Sequence, residues 1–265
     1  MADAYLFDLD GTLYQGDEPI PGAVDLIDQF RHSGVRYRFV TNTTSKPRSA
    51  IVARLRGYGF TLNDEEVFTA LLAGAQLARD MGHTALMPLV PPAALEDLSG
   101  FLLQGGTSTN RLSSPAAHRP PAVLVGDLGA LWSFDLVQQA FTALMNGADL
   151  IALSHDRFWM SGAGLTIDSG AFVKALEYAT DKKSILAGKP SPAFYLAAIE
   201  SLGLNPDRRD VIMVGDDIRS DVGGAQAAGY RGFLVRTGKY REEQAARSGI
   251  VPDRIISSVA ELINQ

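Results

Sequence analysis

The sequence contains no cysteine among its 265 residues. Disulfide bonds, thiolate zinc sites and cysteine nucleophiles are therefore excluded, and the composition does not indicate secretion. Basic residues are outnumbered as well, since 24 Lys and Arg stand against 30 Asp and Glu, and no Lys/Arg cluster is visible. Because nucleic-acid-binding surfaces are usually basic patches, we expect no nucleic-acid partner.

Long apolar runs are also absent. The apolar stretches are short and interrupted by charged residues, and residues 1–11 carry neither a basic segment nor a long apolar run. We therefore expect no membrane span, no membrane partner and a cytoplasmic location. Hydrophobic residues still make up 46% of the chain, which is enough for one large core or two domains.

Both ends of the chain alternate short apolar segments with segments of helical periodicity. The strands predicted there are residues 5–9, 37–41, 185–190, 210–217 and 231–238, and a last helix is predicted over 256–264. Such alternation implies right-handed crossovers and a parallel sheet. We therefore predict an α/β fold in which the two ends together form one doubly wound parallel sheet.

The middle of the chain repeats the pattern by itself. Its predicted elements are strands at 84–90, 122–127 and 149–154, a helix at 133–147 and a hairpin at 155–167. We interpret this part as a second α/β domain, residues 77–183, inserted into a core formed by residues 1–76 and 184–265.

Four short polar segments follow predicted strands of the outer blocks, and open α/β sheets bind ligands at the carboxyl ends of their strands. The first segment, Asp8-Leu9-Asp10-Gly11, presents two carboxylates two residues apart. One such carboxylate can attack phosphorus, while the other donates a proton to the leaving oxygen and later takes one from water. The alternative is a simple turn, because Asp and Gly are common turn formers.

The second and third segments offer a hydroxyl and a cation. Thr41, with Asn42 and Thr43 after it, can hold a phosphoryl oxygen through its hydroxyl and nearby amides, although the same residues could cap the next helix. Lys189 would place a positive charge beside a transferring phosphoryl group. A single lysine fits a solvated surface position equally well.

The fourth segment is acidic. It consists of Gly215-Asp216-Asp217, with Asp221 four residues further on. Mg²⁺ prefers oxygen ligands, so these carboxylates and Asp8 form a candidate magnesium site. An acidic helix N-terminus, favoured by the helix dipole, is the alternative, and it accounts for Asp221 better than for the pair at the strand end.

Taken together and in this order, the four segments resemble the four motifs of the haloacid dehalogenase superfamily. The long gap between Thr41 and Lys189 is similar to subfamily IIA, whose members carry a large α/β cap at this point. Residues 41–45, 175–180 and 221–226 most resemble the branch of phospholysine phosphohistidine inorganic pyrophosphate phosphatase and related hydrolase domain-containing proteins. Thr43 departs from the Asn found in many members, which leaves Thr41 in place.

The resemblance implies a role for each matched residue. Asp8 would be the nucleophile that forms an aspartyl-phosphate, and Asp10 would be the general acid and base. Thr41, Asn42, Thr43 and Lys189 would bind the phosphoryl group, and Lys189 would also steady Asp8.

Mg²⁺ is the cofactor that the resemblance implies. Asp8, Asp216 and the backbone carbonyl of Asp10 would be its protein ligands, while Asp217 and Asp221 would hold metal-bound waters or orient Lys189. The implied activity is a magnesium-dependent phosphatase acting on a small-molecule phosphate ester, phosphoramidate or pyrophosphate. Capped relatives often pair through their caps, which implies a homodimer.

The inserted domain is expected to choose the leaving group. His155 and Arg157, followed by Phe158 and Trp159, come directly after a predicted strand of that domain. This combination could bind an anionic or planar group. Alternatively, the two aromatic side chains pack within the hairpin and Arg157 is solvated.

Other functions share part of this residue set. A phosphotransferase or phosphomutase would pass the same phosphoryl group to a second hydroxyl, and product analysis would separate it from a phosphatase. A non-catalytic phosphate-binding protein would keep the site without turnover, although the complete set of motif residues argues against it. A response-regulator receiver is shorter and lacks a second carboxylate such as Asp10.

Overall fold

The structure is a computed structural model that describes residues 2–108, 120–161, 164–207 and 210–263. Its strands are Ala4–Asp8 (β1), Tyr14–Gln15 (β2), Glu18–Pro19 (β3), Tyr37–Thr41 (β4), Val67–Thr69 (β5), Ala85–Leu89 (β6), Leu102–Leu103 (β7), Ala122–Val125 (β8), Leu150–Ala152 (β9), Phe158–Ser161 (β10), Gly164–Ile167 (β11), Ile185–Leu186 (β12), Val211–Gly215 (β13), Arg231–Val235 (β14) and Arg254–Ile256 (β15).

Helices separate most of these strands. The α-helices are Ala23–His32 (α1), Arg48–Gly57 (α2), Ala70–Asp80 (α3), Phe134–Met145 (α4), Ser169–Thr180 (α5), Pro192–Glu200 (α6), Gly224–Ala227 (α7) and Glu242–Arg247 (α8). Short 3-10 segments lie at Asp64–Glu66, Pro92–Leu98, Gly129–Leu131 and Val259–Leu262, and a π-helical turn covers Ile218–Gly223. Among the described residues, no helix is both long and apolar enough to cross a membrane.

The chain divides into two compact units. The first unit comprises Met1–Thr41, Arg48–Phe68 and Lys189–Gln265, and the second comprises Asn42–Pro47 and Thr69–Gly188. The unit boundaries therefore differ from the 76/77 and 183/184 junctions expected from the sequence. The difference arises because α3, which contains the first junction, and β12, which follows the second, both belong to the second unit.

The first unit contains a six-stranded sheet in the order β15-β14-β13-β1-β4-β5. Its strands β4, β1, β13, β14 and β15 pair in parallel, and β1 and β13 are buried along their whole length, as expected of a sheet covered on both faces. Helix α1 buries Ala23, Leu26, Ile27 and Phe30, which recur at helical spacing and belong to the same apolar core as Phe7.

The second unit contains a separate five-stranded parallel sheet in the order β12-β9-β8-β6-β7. Its core joins buried residues of β8 and β9 to α4 and α5, through Ala140, Leu144, Val173 and Leu176. The predicted hairpin is present as the antiparallel pair β10 and β11.

The predicted α/β fold of parallel strands with flanking helices is confirmed, with differences at several elements. β12 pairs with β9 in the second unit, so the strand predicted at 185–190 does not join the core sheet. β5 was not predicted, because a strand of three residues is too short to show the alternation of apolar and polar side chains. The helix predicted over 256–264 is instead the end of β15 and a 3-10 turn, consistent with buried residues at Ile256, Val259 and Leu262, three positions apart.

Candidate active site

The polar residues of the first unit collect at the carboxyl ends of adjacent strands. Asp8 is the last residue of β1, Thr41 is the last residue of β4, and Asp216 directly follows β13. β1 lies between β4 and β13, with Asp8 opposite Val40 and Phe7 opposite Val214. Since parallel strands end at one edge of the sheet, these residues of distant sequence position become neighbours.

A buried lysine joins two of the aspartates. Nζ of Lys189 donates hydrogen bonds to Oδ1 of Asp8 at 2.5 Å and to Oδ1 of Asp221 at 2.7 Å. Lys189 is only 4% exposed and Asp221 only 1%. Burial by itself lowers the pKa of the ammonium, but the charges of Asp221 and Asp8 outweigh it and raise the pKa of Lys189 well above its ordinary value. Lys189 is therefore held as a cation between two carboxylates.

Asp216 completes a cluster of carboxylates. One oxygen from each of Asp8, Asp216 and Asp221 lies within 4.8 Å of the others, and all three residues are buried. Burial, followed by the charges of Asp8 and Asp221, raises the pKa of Asp216 to about 8. Three buried carboxyl groups thus lie together beside the ammonium of Lys189. Such a set of hard oxygen donors fits a divalent cation such as Mg²⁺.

Asp221 has both carboxylate oxygens engaged within this cluster. Oδ1 accepts the hydrogen bond from Lys189, and Oδ2 accepts one from the backbone N–H of Asp217 at 3.0 Å. This geometry suits Asp221 to orienting Lys189. The carboxylate cluster of Asp8, Asp216 and Asp221 counts side-chain oxygens only, so the predicted ligand role of the Asp10 backbone carbonyl stays a prediction.

The side chains of Asp217 and Asp10 do not belong to the cluster of buried carboxylates. Oδ1 of Asp217 accepts hydrogen bonds from the backbone N–H groups of Arg219 and Ser220, at 2.9 and 3.0 Å. Burial raises the pKa of Asp217, but these amides outweigh it and lower the pKa overall, as for a helix cap. Asp10 is exposed, and partial desolvation and then the charge of Asp8 raise its pKa.

A fully buried tyrosine supports the turn that carries Asp221. The hydroxyl of Tyr195, in α6, donates a hydrogen bond to the carbonyl of Ser220 and lies 3.4 Å from the carbonyl of Asp221. Both carbonyls belong to the π-helical turn Ile218–Gly223, a kind of irregularity that often occurs at functional sites. Tyr195 therefore helps to determine where the Asp221 carboxylate points.

Tyr195→Phe is expected to lower the free energy of unfolding by about 1–2 kcal/mol, because the partly buried Ser220 carbonyl loses the donor that Tyr195 provides. Chemical denaturation measures this difference. Tyr178→Phe is the matched control, since Tyr178 is 93% exposed and its substitution should leave stability unchanged. Equal stabilities for the two variants would contradict the supporting role of Tyr195.

Four further residues predicted to bind substrate lie in the second unit. Asn42 and Thr43 group with that unit, whereas Thr41 belongs to the first. Nε2 of His155 lies 2.9 Å from Oγ of Ser184, and burial followed by the charge of Lys174 lowers the pKa of His155. Arg157 is exposed. The structure therefore gathers five residues of the first unit at one sheet edge: Asp8, Thr41, Lys189, Asp216 and Asp221. Asn42, Thr43, His155 and Arg157 belong to the second unit.

Sequence reasoning assigned no role to several residues that support the site. Tyr195 binds backbone carbonyls of the turn that carries Asp221, and the others are Thr237, Gly238 and Lys239, which follow β14. The backbone N–H of Lys239 donates to Oδ2 of Asp216 at 2.6 Å. The segment 232–240 fits subfamily IIA in sequence, but that resemblance gave no role to its glycine at position 238 or to the residues on either side of it.

Comparison with known proteins agrees with this geometry. Residues 5–104 match the haloacid dehalogenase-like hydrolase family, and residues 186–262 match an HAD-hydrolase-like family. Haloacid dehalogenase-like hydrolase domain-containing protein 2 of Bos taurus is 39% identical over 238 residues, which cover 90% of this chain and 85% of the relative. The phospholysine phosphohistidine inorganic pyrophosphate phosphatase of Xenopus laevis is 35% identical over 268 residues, which cover 98% and 93%.

The fold comparison gives the same result. The crystal structure of a glycerol phosphate phosphatase from Mycobacterium tuberculosis in complex with magnesium superposes with a TM-score of 0.78 at 30% identity, and covers 96% of this chain and 74% of that one. The resemblance inferred from the motifs is therefore confirmed by full-length similarity in both sequence and fold. The chain belongs to the haloacid dehalogenase-like hydrolase family, among its phosphatases.

Proposed function

We propose that this phosphatase hydrolyses a small phosphorylated molecule through an aspartyl-phosphate on Asp8, with Mg²⁺ as its cofactor. The observation that carries the proposal is the arrangement around Lys189. A buried ammonium holds the Asp8 carboxylate at the end of β1, and Asp216 and Asp221 lie beside it. A purely structural ion pair would need neither the third buried carboxylate nor the second aspartate at position 10.

The first half-reaction transfers the phosphoryl group to Asp8. A carboxylate oxygen of Asp8 forms a bond to phosphorus as the bond between phosphorus and the leaving oxygen breaks. Asp10 donates its proton to that leaving oxygen. Thr41 follows Val40, the residue opposite Asp8, and its hydroxyl would hold a phosphoryl oxygen. The Lys189 ammonium would offset the negative charge that develops on the phosphoryl group.

The second half-reaction returns the enzyme to its starting state. The Asp10 carboxylate takes a proton from water, and the water oxygen forms a bond to phosphorus while the bond from phosphorus to Asp8 breaks. Inorganic phosphate leaves, and Asp8 and Asp10 recover their initial protonation. Water is the acceptor in this scheme, which distinguishes it from transfer to a second hydroxyl.

The carboxylates of Asp8 and Asp216, with the backbone carbonyl of Asp10, are the proposed protein ligands of Mg²⁺. When bound, the ion would neutralise phosphoryl charge and act as a Lewis acid. Asp221 keeps Lys189 directed at Asp8 through its 2.7 Å hydrogen bond. Asp217 shapes the turn that presents Asp221, because its carboxylate caps that turn.

The second unit is the proposed determinant of substrate choice. Its separate core and sheet suit it to act as a cap that admits small molecules rather than folded phosphoproteins. We propose that Asn42, Thr43, His155 and Arg157 contribute to substrate binding. Phe158 and Trp159 are 56% and 45% exposed, which supports a contact role over packing inside the hairpin. A homodimer through this unit and a cytoplasmic location stay predictions.

The test is phosphate release from a panel of phosphate esters, phosphoramidates and pyrophosphate. We expect release in Mg²⁺, loss of release with a chelator, and recovery when Mg²⁺ is returned in excess. Ca²⁺ should not replace Mg²⁺, because its looser coordination would misalign the attack.

The same panel shows which outcome would contradict the proposal. Release that persists in the chelator would remove Mg²⁺ from the scheme. Transfer of phosphate to an added alcohol in preference to water would indicate a phosphotransferase. No release from any compound, with a folded protein, would favour a phosphate-binding role.

A further inference from the structure

The loop that follows β14 contacts both acidic segments of the active site. Oγ1 of Thr237 donates a hydrogen bond to the backbone carbonyl of Gly11, directly after Asp10. Two residues later, the backbone N–H of Lys239 donates to Oδ2 of Asp216 at 2.6 Å. This three-residue segment, Thr237 to Lys239, is called the 237–239 loop below.

Close backbone packing brings the loop against Asp216. A Cβ atom added to Gly238 would lie 2.1 Å from Oδ2 of Asp216 and 2.5 Å from Cα of Gly11. A Cβ atom added to Gly11 would lie 2.0 Å from the same oxygen. Both glycines also have positive φ values, +59° and +84°, which other residues rarely adopt. No side chain fits between these backbones, so the carboxylate of Asp216 is enclosed by two glycines.

Asp216 needs such support because its neighbours repel it. Its carboxyl group is buried beside those of Asp8 and Asp221. When Asp216 is ionised, as a Mg²⁺ ligand must be, like charges at this range favour rotation of one group away from the others. The Lys239 amide opposes that rotation by binding Oδ2. The amide can do this only while the loop keeps its position, which the bond from Thr237 to Gly11 maintains.

We propose that the 237–239 loop is a positioning device that fixes Asp216 relative to the Asp8–Gly11 segment and so sets the affinity of the carboxylate cluster for Mg²⁺. The inference rests on the magnesium site of the proposed function. Thr237 and Gly238 are positioning residues here, since they act through Gly11 and Asp216 and touch no reacting atom.

The test is the dissociation constant for Mg²⁺, measured by isothermal titration calorimetry on the full chain. Thr237→Val removes the hydroxyl at nearly constant volume and is expected to weaken Mg²⁺ binding about five- to tenfold, the effect of one lost hydrogen bond. Thr237→Ser keeps the donor and should restore affinity to within about twofold of wild type. Gly238→Ala should weaken binding at least as much as Thr237→Val, because a Cβ cannot be accommodated beside Asp216.

Thr84→Val is the matched control, since Thr84 is exposed in the second unit, and it should leave Mg²⁺ affinity unchanged. Thermal unfolding in a chelator identifies any variant that fails to fold. If Thr237→Val is unfolded, the test is the comparison of Mg²⁺ affinity between Gly238→Ala and Thr237→Ser. Wild-type affinity in Thr237→Val or in Gly238→Ala, or a wild-type chain that binds no Mg²⁺, would overturn the inference. The expected order of affinities without phosphate release from any substrate would overturn the proposed function alone.

Discussion

Asp8→Asn is expected to abolish phosphate release, by about a thousandfold or more, while the protein stays folded. The amide has nearly the shape of the carboxylate and can still accept a hydrogen bond from Lys189, but it cannot form a stable bond to phosphorus. Because Lys189 also contacts Asp221, the loss of one charge does not leave the buried ammonium without a partner. Initial rates at saturating substrate and Mg²⁺ measure the effect.

Asp17→Asn is the matched control for this substitution. The side chain of Asp17 is 98% exposed and lies in the turn between β2 and β3, so that its change should leave phosphate release unchanged. Thermal unfolding of both variants establishes that they are folded. Near-normal release from Asp8→Asn would show that another residue is the nucleophile.

Lys189→Met is expected to lower the free energy of unfolding by about 3–5 kcal/mol at neutral pH and to abolish phosphate release. Methionine fills a similar volume, so the main change is electrostatic. The buried carboxylates of Asp8 and Asp221 would lose the ammonium that compensates them, and Asp216 is a third buried carboxyl group beside them. Denaturant titration in a chelator measures the loss without a contribution from bound metal.

Lys183→Met controls for the removal of a lysine as such. Lys183 is exposed and its replacement should change stability by less than about 0.5 kcal/mol. If Lys189→Met were as stable as this control, the buried carboxylates would not depend on Lys189 for compensation. If it were destabilised yet released phosphate at the wild-type rate, Lys189 would have a structural role alone.

The motif residues of the core could be located from the sequence because they depend on local features. Apolar runs of strand length, each followed by a polar residue, identified β1, β4 and β13 and therefore the edge that holds Asp8, Thr41 and Asp216. The parallel sheet follows from the alternation of strands and helices, which is a property of the chain order. These features need no knowledge of which side chains meet.

Pairings between distant segments could not be determined in this way. The apolar pair Ile185 and Leu186 marks a strand but does not say which sheet that strand joins, and the structure shows that it pairs with β9. The sequence also could not distinguish the roles of Asp217 and Asp221, which are four residues apart. Asp217 caps a turn through two backbone amides, whereas Asp221 binds Lys189.

The sequence by itself therefore determined the family, the α/β fold and the identity of the acidic, hydroxyl and lysine residues, because each is encoded in a short contiguous segment. Only the tertiary structure decided which carboxylates cluster and that Tyr195 supports the turn of Asp221. It also decided that Gly11 and Gly238 enclose Asp216, whose carboxylate binds the Lys239 amide. The physical reason is that a hydrogen bond or a close approach depends on distances of a few ångströms between segments, and residue order along a chain does not specify such distances.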